Sequence, residues 1–242
     1  MRQSRIFTSQ PLLTVEHLEL SGAACHYLTR VLRLSMGSAL TLFNGDGRDY
    51  LAEIIGIESK SVVVRMKGNA VAGNESPVKI TLVQGVSRGE RMDYALQKAT
   101  ELGVFCIQPV ISRRVEVRLD KNRLAKRLKH WQGVVVSACE QSGRAVVPEV
   151  KTPLPLSEWV ETADSSPRFV LDPYTQNKLS DLSIADRSLS LVIGPEGGFT
   201  DDEMQGFQSN GLTPVSLGPR VLRTETAGPA AIAVLQAKTG GL

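Results

Sequence analysis

Apolar and polar positions along the chain follow two different rhythms. Up to about residue 72, short apolar or β-branched runs alternate with turn formers. Ala39–Phe43 and Tyr50–Ile55 flank Asn44-Gly45-Asp46-Gly47, and Ser61–Met66 is a further β-branched run. Asn-Gly between such runs predicts a hairpin with a type I′ turn, in which both residues take positive φ. Short strands at this spacing predict a small barrel, preceded by a helical stretch over Gly22–Leu34. Gly68–Pro77 lacks periodicity and is rich in turn formers, as an interdomain linker would be. The boundary is set at residues 73–77, between domains 1–72 and 78–242.

Beyond Pro77 strands and helices alternate. Val78–Val83, Phe105–Ile107, Arg168–Leu171, Leu189–Ile193 and Pro214–Leu217 read as strands. Met92, Ala95, Leu96, Ala99 and Leu102 share one face of a helix over Arg88–Leu102. Asp120 is placed to cap a long helix with Leu124, Leu128, Trp131 and Val135 as its apolar stripe. Thr200 is placed to cap Asp201–Ser209, whose first acids suit a positive helix end, and a last helix spans about Thr226–Lys238. This order predicts an α/β domain with a parallel sheet covered on both faces.

Composition narrows the function. The 242 residues are 42% hydrophobic and 22% charged, a globular balance. No run approaches the roughly 20 apolar residues of a membrane helix, and Met1–Arg5 lacks the apolar core of a signal peptide. The expectation is a cytoplasmic protein with no membrane partner. Cys25, Cys106 and Cys139 are far apart and odd in number, which argues against disulfides and a zinc site; no metal is expected. His17, His26 and His130 have no partner at a telling spacing. Net charge is +3, yet Arg113–His130 alone carries +6, from eight Lys or Arg against Glu116 and Asp120. A local basic patch suggests an anionic partner on one face, although a solvated helix face would read the same way. With 5% aromatics, no base-stacking platform is signalled.

Two glycine-rich loops stand at strand carboxyl ends, Ile193–Thr200 and Leu217–Ala227, where ligands of open α/β sheets bind. Glycines there either let a ligand approach the backbone or simply make turns. No P-loop, early Gly-x-Gly-x-x-Gly, His-Glu-x-x-His or Gly-x-Ser-x-Gly occurs. The residues alone lead to a backbone-lined pocket and no further.

Ile193-Gly194-Pro195-Glu196-Gly197-Gly198 followed by Leu217-Gly218-Pro219-Arg220-Val221-Leu222-Arg223-Thr224-Glu225-Thr226-Ala227 resembles the knotted SPOUT methyltransferases. More narrowly, it is similar to the small-subunit methyltransferase E family, which methylates N3 of a uridine in bacterial 16S ribosomal RNA. His26–Arg33, Phe43–Gly47, Gly89–Asp93, Gln97–Val104 and Glu140–Arg144 resemble further motifs of that family, so the likeness covers nearly the whole chain. Pro219, Val221 and Cys25 depart from its pattern. The resemblance implies a PUA-like N-terminal β-barrel domain (1–72), a trefoil-knotted SPOUT domain (78–242) and a homodimer. It implies S-adenosylmethionine as cofactor, with S-adenosylhomocysteine as product, and 16S rRNA in the 30S subunit as partner. The cofactor residues so implied are Leu171, Gly194, Pro195, Glu196, Gly197, Leu217, Gly218, Leu222, Arg223, Thr224 and Ala227.

For catalysis the candidates are Arg223, then Arg5, as fixed cations, with Glu225 or bulk water taking the proton. Candidate RNA contacts are Arg2, Arg5, Arg30, Arg33, Arg113, Arg114, Lys126, Arg127 and Arg144. The alternatives are a non-catalytic ribosome-binding or assembly factor of the same fold, and a small-molecule α/β enzyme whose basic helix is merely solvated.

Overall fold

The computed structural model describes residues 4–115, 121–162, 165–185 and 187–242. Arg2 and the helix cap assigned to Asp120 lie outside the described residues. The chain divides into two compact units, Met1–Glu75 with Cys139–Val147, and Ser76–Ala138 with Pro148–Leu242.

The first unit is a five-stranded sheet. Strands β1 (Ser4–Phe7), β2 (His17–Ser21), β3 (Ala39–Phe43), β4 (Arg48–Ile57) and β5 (Ser61–Val71) lie in the order β1-β3-β4-β5-β2. The β1–β3 ladder is parallel and the others antiparallel. Every strand contributes to one core, with Ile6, Leu18, Leu42, Ile54 and Val64 among its members. Short helix α1 (Gly22–His26) continues into a π-helical turn, Tyr27–Val31, and closes the core with Cys25 and Leu28.

The predicted hairpin forms, with Leu42 opposite Tyr50, but its turn is not type I′. Four residues separate the strands, and positive φ falls on Gly45 and Gly47, not on Asn44. Side chains shape the loop instead. Asn44 Oδ1 accepts from the Asp46 amide at 3.3 Å, and Asp46 Oδ1 from the Arg48 amide at 2.9 Å. The presumed linker also starts too early, because β5 carries Gly68–Val71 as strand. Polar and small residues there pair with Arg48–Leu51, and an edge stretch with little to bury shows no alternation.

The second unit holds a parallel sheet built from β6 (Lys79–Gly85), β7 (Cys106–Ile111), β8 (Glu149–Val150), β9 (Leu154–Pro155), β10 (Arg168–Leu171), β11 (Ser188–Ile193) and β12 (Thr213–Val215). Its order is β12-β10-β11-β6-β7-β8, with β9 also on β7, and every ladder is parallel. Such a sheet is covered on both faces, so its strands are apolar almost throughout; Leu189–Ile193 is buried at each position.

Helices α2 (Glu90–Glu101), α3 (Lys121–Ser142), α4 (Leu156–Glu161), α5 (Asp201–Ser209) and α6 (Thr224–Thr239) complete the elements, and α2 packs on α6. Of the stripe predicted on α3, Trp131 and Val135 are buried, while Leu124 and Leu128 are half-buried. The cap predicted at Thr200 is a full capping box: the Glu203 amide reaches Thr200 Oγ1 at 3.3 Å, and Glu203 Oε2 accepts from the Thr200 amide at 2.8 Å. No helix among the described residues is long and apolar enough to cross a membrane. The three cysteines are buried and form no disulfide.

Candidate functional site

Strand order gathers the site. β12, β10 and β11 are sheet neighbours although far apart in sequence, so their carboxyl ends bring Leu171, Gly194 and Leu217 to one edge. A cavity of about 730 Å³ opens there. Its walls include Leu171 from β10, Gly194, Pro195, Glu196 and Gly197 from the loop after β11, and Leu217, Gly218, Leu222, Arg223, Thr224, Glu225 and Ala227 from the loop after β12 and the start of α6. Each cofactor residue named from the sequence therefore lines one cavity.

Three contacts set the shape of the loops. Gly85 ends β6 so close to the first loop that a Cβ there would lie 2.5 Å from the Pro195 nitrogen. Gln84, fully buried, donates Nε2 to the Thr224 hydroxyl at 3.0 Å, and that hydroxyl donates to the Gly194 carbonyl at 2.6 Å. Gln84 thus ties both glycine loops to β6. Gly218 sits at φ +111°, a conformation that side chains resist, with open space where a Cβ would stand. Gly197 differs: a Cβ would meet Arg114 Cβ at 3.1 Å, so glycine there makes room for Arg114.

Glu196 is the acid of the first loop. It accepts from the Arg88 amide at 3.0 Å and pairs with Arg91 at 3.1 Å. Burial opposes its ionisation, but these donors and its own amide outweigh burial and hold the carboxyl below its usual range. The cavity as a whole combines leucine and alanine walls with loop backbone. That combination suits a flat heterocycle whose polar edge meets amides and carbonyls.

The arginines named from the sequence divide sharply. Arg223 is exposed at the cavity wall, and among the described residues its side chain makes no hydrogen bond or ion pair; in particular, none joins it to half-buried Glu225. Arg5, in the first unit, is largely committed. It pairs with Asp49, donates to the Arg144 carbonyl at 3.0 Å and lies 5.0 Å from the Phe43 ring centre. Arg144 is 4% exposed and forks onto Glu75 through Nε at 3.0 Å and Nη2 at 2.5 Å. Arg144, named from the sequence as an RNA contact, here braces the first unit through its buried fork on a carboxylate. Arg5, named from the sequence as an RNA contact and as the second catalytic cation, has a side chain that is only 10% exposed and already paired.

Arg30 and Arg33 are exposed, Arg33 at φ +51°. Lys126 is exposed and Arg127 half-buried on α3. Arg113 pairs with Asp202 at 2.5 Å, and Arg114 donates to the Gly197 carbonyl at 2.9 Å. His130 stands 2.8 Å from Asp93 on an exposed face.

Gln84 and Gly85 escaped the sequence reading. They belong to a strand with no motif, and only a search for buried polar residues at strand ends would have singled them out. The fold and the cavity define an α/β domain with a ligand-sized cavity at the carboxyl ends of its parallel strands, accompanied by a small β domain. The profile of an RNA methyltransferase domain matches residues 74–236, and that of an RNA methyltransferase PUA domain matches residues 20–67. Two proteins called ribosomal RNA small subunit methyltransferase E, from two strains of Buchnera aphidicola, are 32% and 34% identical to the chain; they cover 98% and 100% of it and 94% and 98% of their own lengths. The chain belongs to the ribosomal RNA small subunit methyltransferase E family. A Neisseria gonorrhoeae member bound to S-adenosyl methionine superposes with a TM-score of 0.93 at 39% identity, over 98% of each chain. A Legionella pneumophila protein in complex with bound cofactor SAM gives 0.94 at 41% identity, again over 98% of each.

Proposed function

We propose that this protein transfers the methyl group of S-adenosylmethionine to N3 of a uridine in 16S rRNA of the 30S subunit, acting in the cytoplasm. The observation that carries the reading is the cavity at the carboxyl ends of β10, β11 and β12, framed by two glycine loops and edged by Arg223, whose side chain has no partner among the described residues. When bound, S-adenosylmethionine supplies an electrophilic methyl group on a sulfonium sulfur. Leu171, Leu217, Leu222 and Ala227 offer apolar surface to its adenine, and loop amides and carbonyls meet the polar edges.

Uracil N3 carries a proton and is a poor nucleophile until that proton leaves. Its loss moves negative charge onto the flanking carbonyl oxygens. The Arg223 guanidinium stabilises that charge more than the neutral base, which lowers the barrier. Arginine keeps its charge at any working pH, so it acts electrostatically and not as the base. Glu225 Oε or a water takes the proton. The trefoil knot and a twofold dimer that walls the loops belong to the same proposal. An obligate interface of this kind buries more than roughly 2,000 Å².

The test is incubation with labelled cofactor and unmodified 30S subunits, followed by mass spectrometry of the nucleosides. The expected product is 3-methyluridine; no transfer, or a methyl group at another position, overturns the reading.

A further inference from the structure

Tyr174 is 83% exposed, yet it belongs to the wall of the large cavity. Among the described residues its hydroxyl makes no hydrogen bond and its ring no aromatic or cation–π contact. A lone exposed ring on an open surface signals nothing, since folded proteins expose many apolar side chains. This ring stands instead at the mouth of a cavity with aliphatic inner walls: Leu171, Leu217 and Leu222 are half-buried and Ala227 is buried. The other aromatic residue of the wall, Phe199, meets Phe207 edge to face at 4.9 Å and packs against the core. Its ring is already engaged, so among the described lining residues Tyr174 is the one that offers a free aromatic face.

The ring is carried on a short, pinned tip. The Asp172 amide donates to the Val215 carbonyl at 2.9 Å, and Asp172 Oδ1 accepts from the Tyr174 amide at 2.9 Å. On the far side the Ser216 amide donates to the Asn177 carbonyl at 2.8 Å, and the Leu179 amide to the Ser216 carbonyl at 2.9 Å. Both stems of the tip are thus fastened to the end of β12, and Pro173 has a fixed φ. A ring held this way loses little freedom when a ligand stacks on it. A nucleobase that is to be methylated has to leave its own stack and lie in line with the reacting group. An aromatic face replaces the neighbours it gives up. One ring suffices for one base, so a chain with 5% aromatics can supply it. The adenine of the cofactor goes to the aliphatic walls inside, whereas a base arriving from solvent meets the rim. Arg223, also exposed, lines the same cavity, so the wall presents a flat apolar face and a cation. Those two suit the two parts of a uracil, its ring face and its carbonyl oxygens.

We infer that Tyr174 stacks on the target uracil and holds it flat at the cavity mouth, while Arg223 meets a carbonyl oxygen at its edge. The inference rests on the proposed RNA-methylating function. It gives the segment after β10 two duties: Leu171 at its root faces the cofactor, and Tyr174 at its tip takes the base.

The test compares Tyr174→Ala and Tyr174→Phe in the full chain. Binding to unmodified 30S subunits is measured by filter retention across a potassium chloride series, with S-adenosylhomocysteine present. Single-turnover methylation with labelled cofactor, calorimetry of S-adenosylmethionine binding and sedimentation complete the set. Alanine should weaken subunit binding roughly 5- to 150-fold, the scale of one lost base–aromatic stack, and slow methylation at subsaturating subunits in proportion. The log–log salt slope should remain the parent's, because the ring neutralises no phosphate. Phenylalanine keeps the face and should stay within about twofold of the parent in binding and rate; cofactor affinity should stay within about twofold in both variants, as for an exposed substitution. A folded alanine variant that binds and methylates like the parent overturns the stack and leaves the proposed function standing. A phenylalanine variant as weak as alanine also overturns it, since the hydroxyl and not the face would then make the contact. Loss of cofactor affinity in the alanine variant overturns it by assigning the ring to the adenine, and altered sedimentation does so by assigning it to an interface between two copies. A parent protein that methylates no uridine in 30S subunits sinks both the stack and the proposed function.

Discussion

Replacing Thr224 by valine keeps the shape of the side chain and removes only the hydroxyl that links the two glycine loops. That hydroxyl accepts from Gln84 at 3.0 Å and donates to the Gly194 carbonyl at 2.6 Å. Gln84 Nε2 keeps a second acceptor, the Gly85 carbonyl at 3.1 Å, so its loss amounts to one ordinary hydrogen bond, about 0.5–1.5 kcal/mol. Gly194 is only half-buried, so its abandoned carbonyl falls at the low end of the desolvation range, about 1–2 kcal/mol. The sum is about 1.5–3.5 kcal/mol, a fall of roughly 3–14 °C in melting temperature for a chain of this size. Urea denaturation measures the first quantity and a thermal scan the second. Calorimetry should also show weaker S-adenosylmethionine binding, by about tenfold, because Gly194 is no longer held in the cavity wall. Thr224→Ser retains the hydroxyl and should lie near the parent in both respects. If the valine variant unfolds within about 0.5 kcal/mol of the parent, the hydroxyl link does not organise the site and the reasoning fails.

Arg223→Lys keeps the charge but loses the planar fork; single-turnover methylation should slow about 100-fold or more, the scale of removing one oxyanion donor, with cofactor affinity nearly unchanged, and the parent's rate would remove Arg223 from catalysis. Gly218→Val should weaken cofactor binding about tenfold or more, because φ +111° is costly for a β-branched residue; unchanged affinity in calorimetry would show that the loop adapts. Glu140 is raised above its ordinary value of 4.5, chiefly by burial, against the Phe7 amide and Arg5. A raised acid favours folding most when protonated, and that contribution is lost as pH climbs through its folded value. At about pH 7.5 Glu140→Gln should therefore raise the melting temperature by about 1–3 °C, an advantage that shrinks towards about pH 4; a lower melting temperature at the higher pH would refute it.

Much of the second unit was legible because periodicity there is strong. Buried parallel strands such as Leu189–Ile193 are apolar at all but one position, Ser190, and the cap at Thr200 follows from one hydroxyl and a glutamate three residues on. The first unit was harder. β1 (Ser-Arg-Ile-Phe) and β2 (His-Leu-Glu-Leu-Ser) are four and five residues long, too short for alternation to stand out. The return of Cys139–Val147 to the first unit leaves no local mark either, since what recommends it is distant: Phe43 buried with Cys139 and Ala145. The cavity residues were legible through resemblance to a family, not through physics. Glycine loops at strand ends predict a pocket without saying what fills it. Charge alone did not show the ion pair at Arg144, where the sequence shows a cation and the structure shows Glu75 gripping it.

The way the site is assembled also bears on its biosynthesis. Gln84 leaves the ribosome 140 residues before Thr224, the partner it waits for, and β6 must pair with β11 before the first glycine loop has a floor. Chains are made at roughly 5–20 residues per second, so this link stays open for roughly 7–30 s of synthesis. During that interval a nascent chain can complete the β domain but has no closed pocket to fill. The cavity therefore closes only as the last helix emerges, and truncated products lacking α6 carry neither the second loop's anchor nor a complete cavity wall.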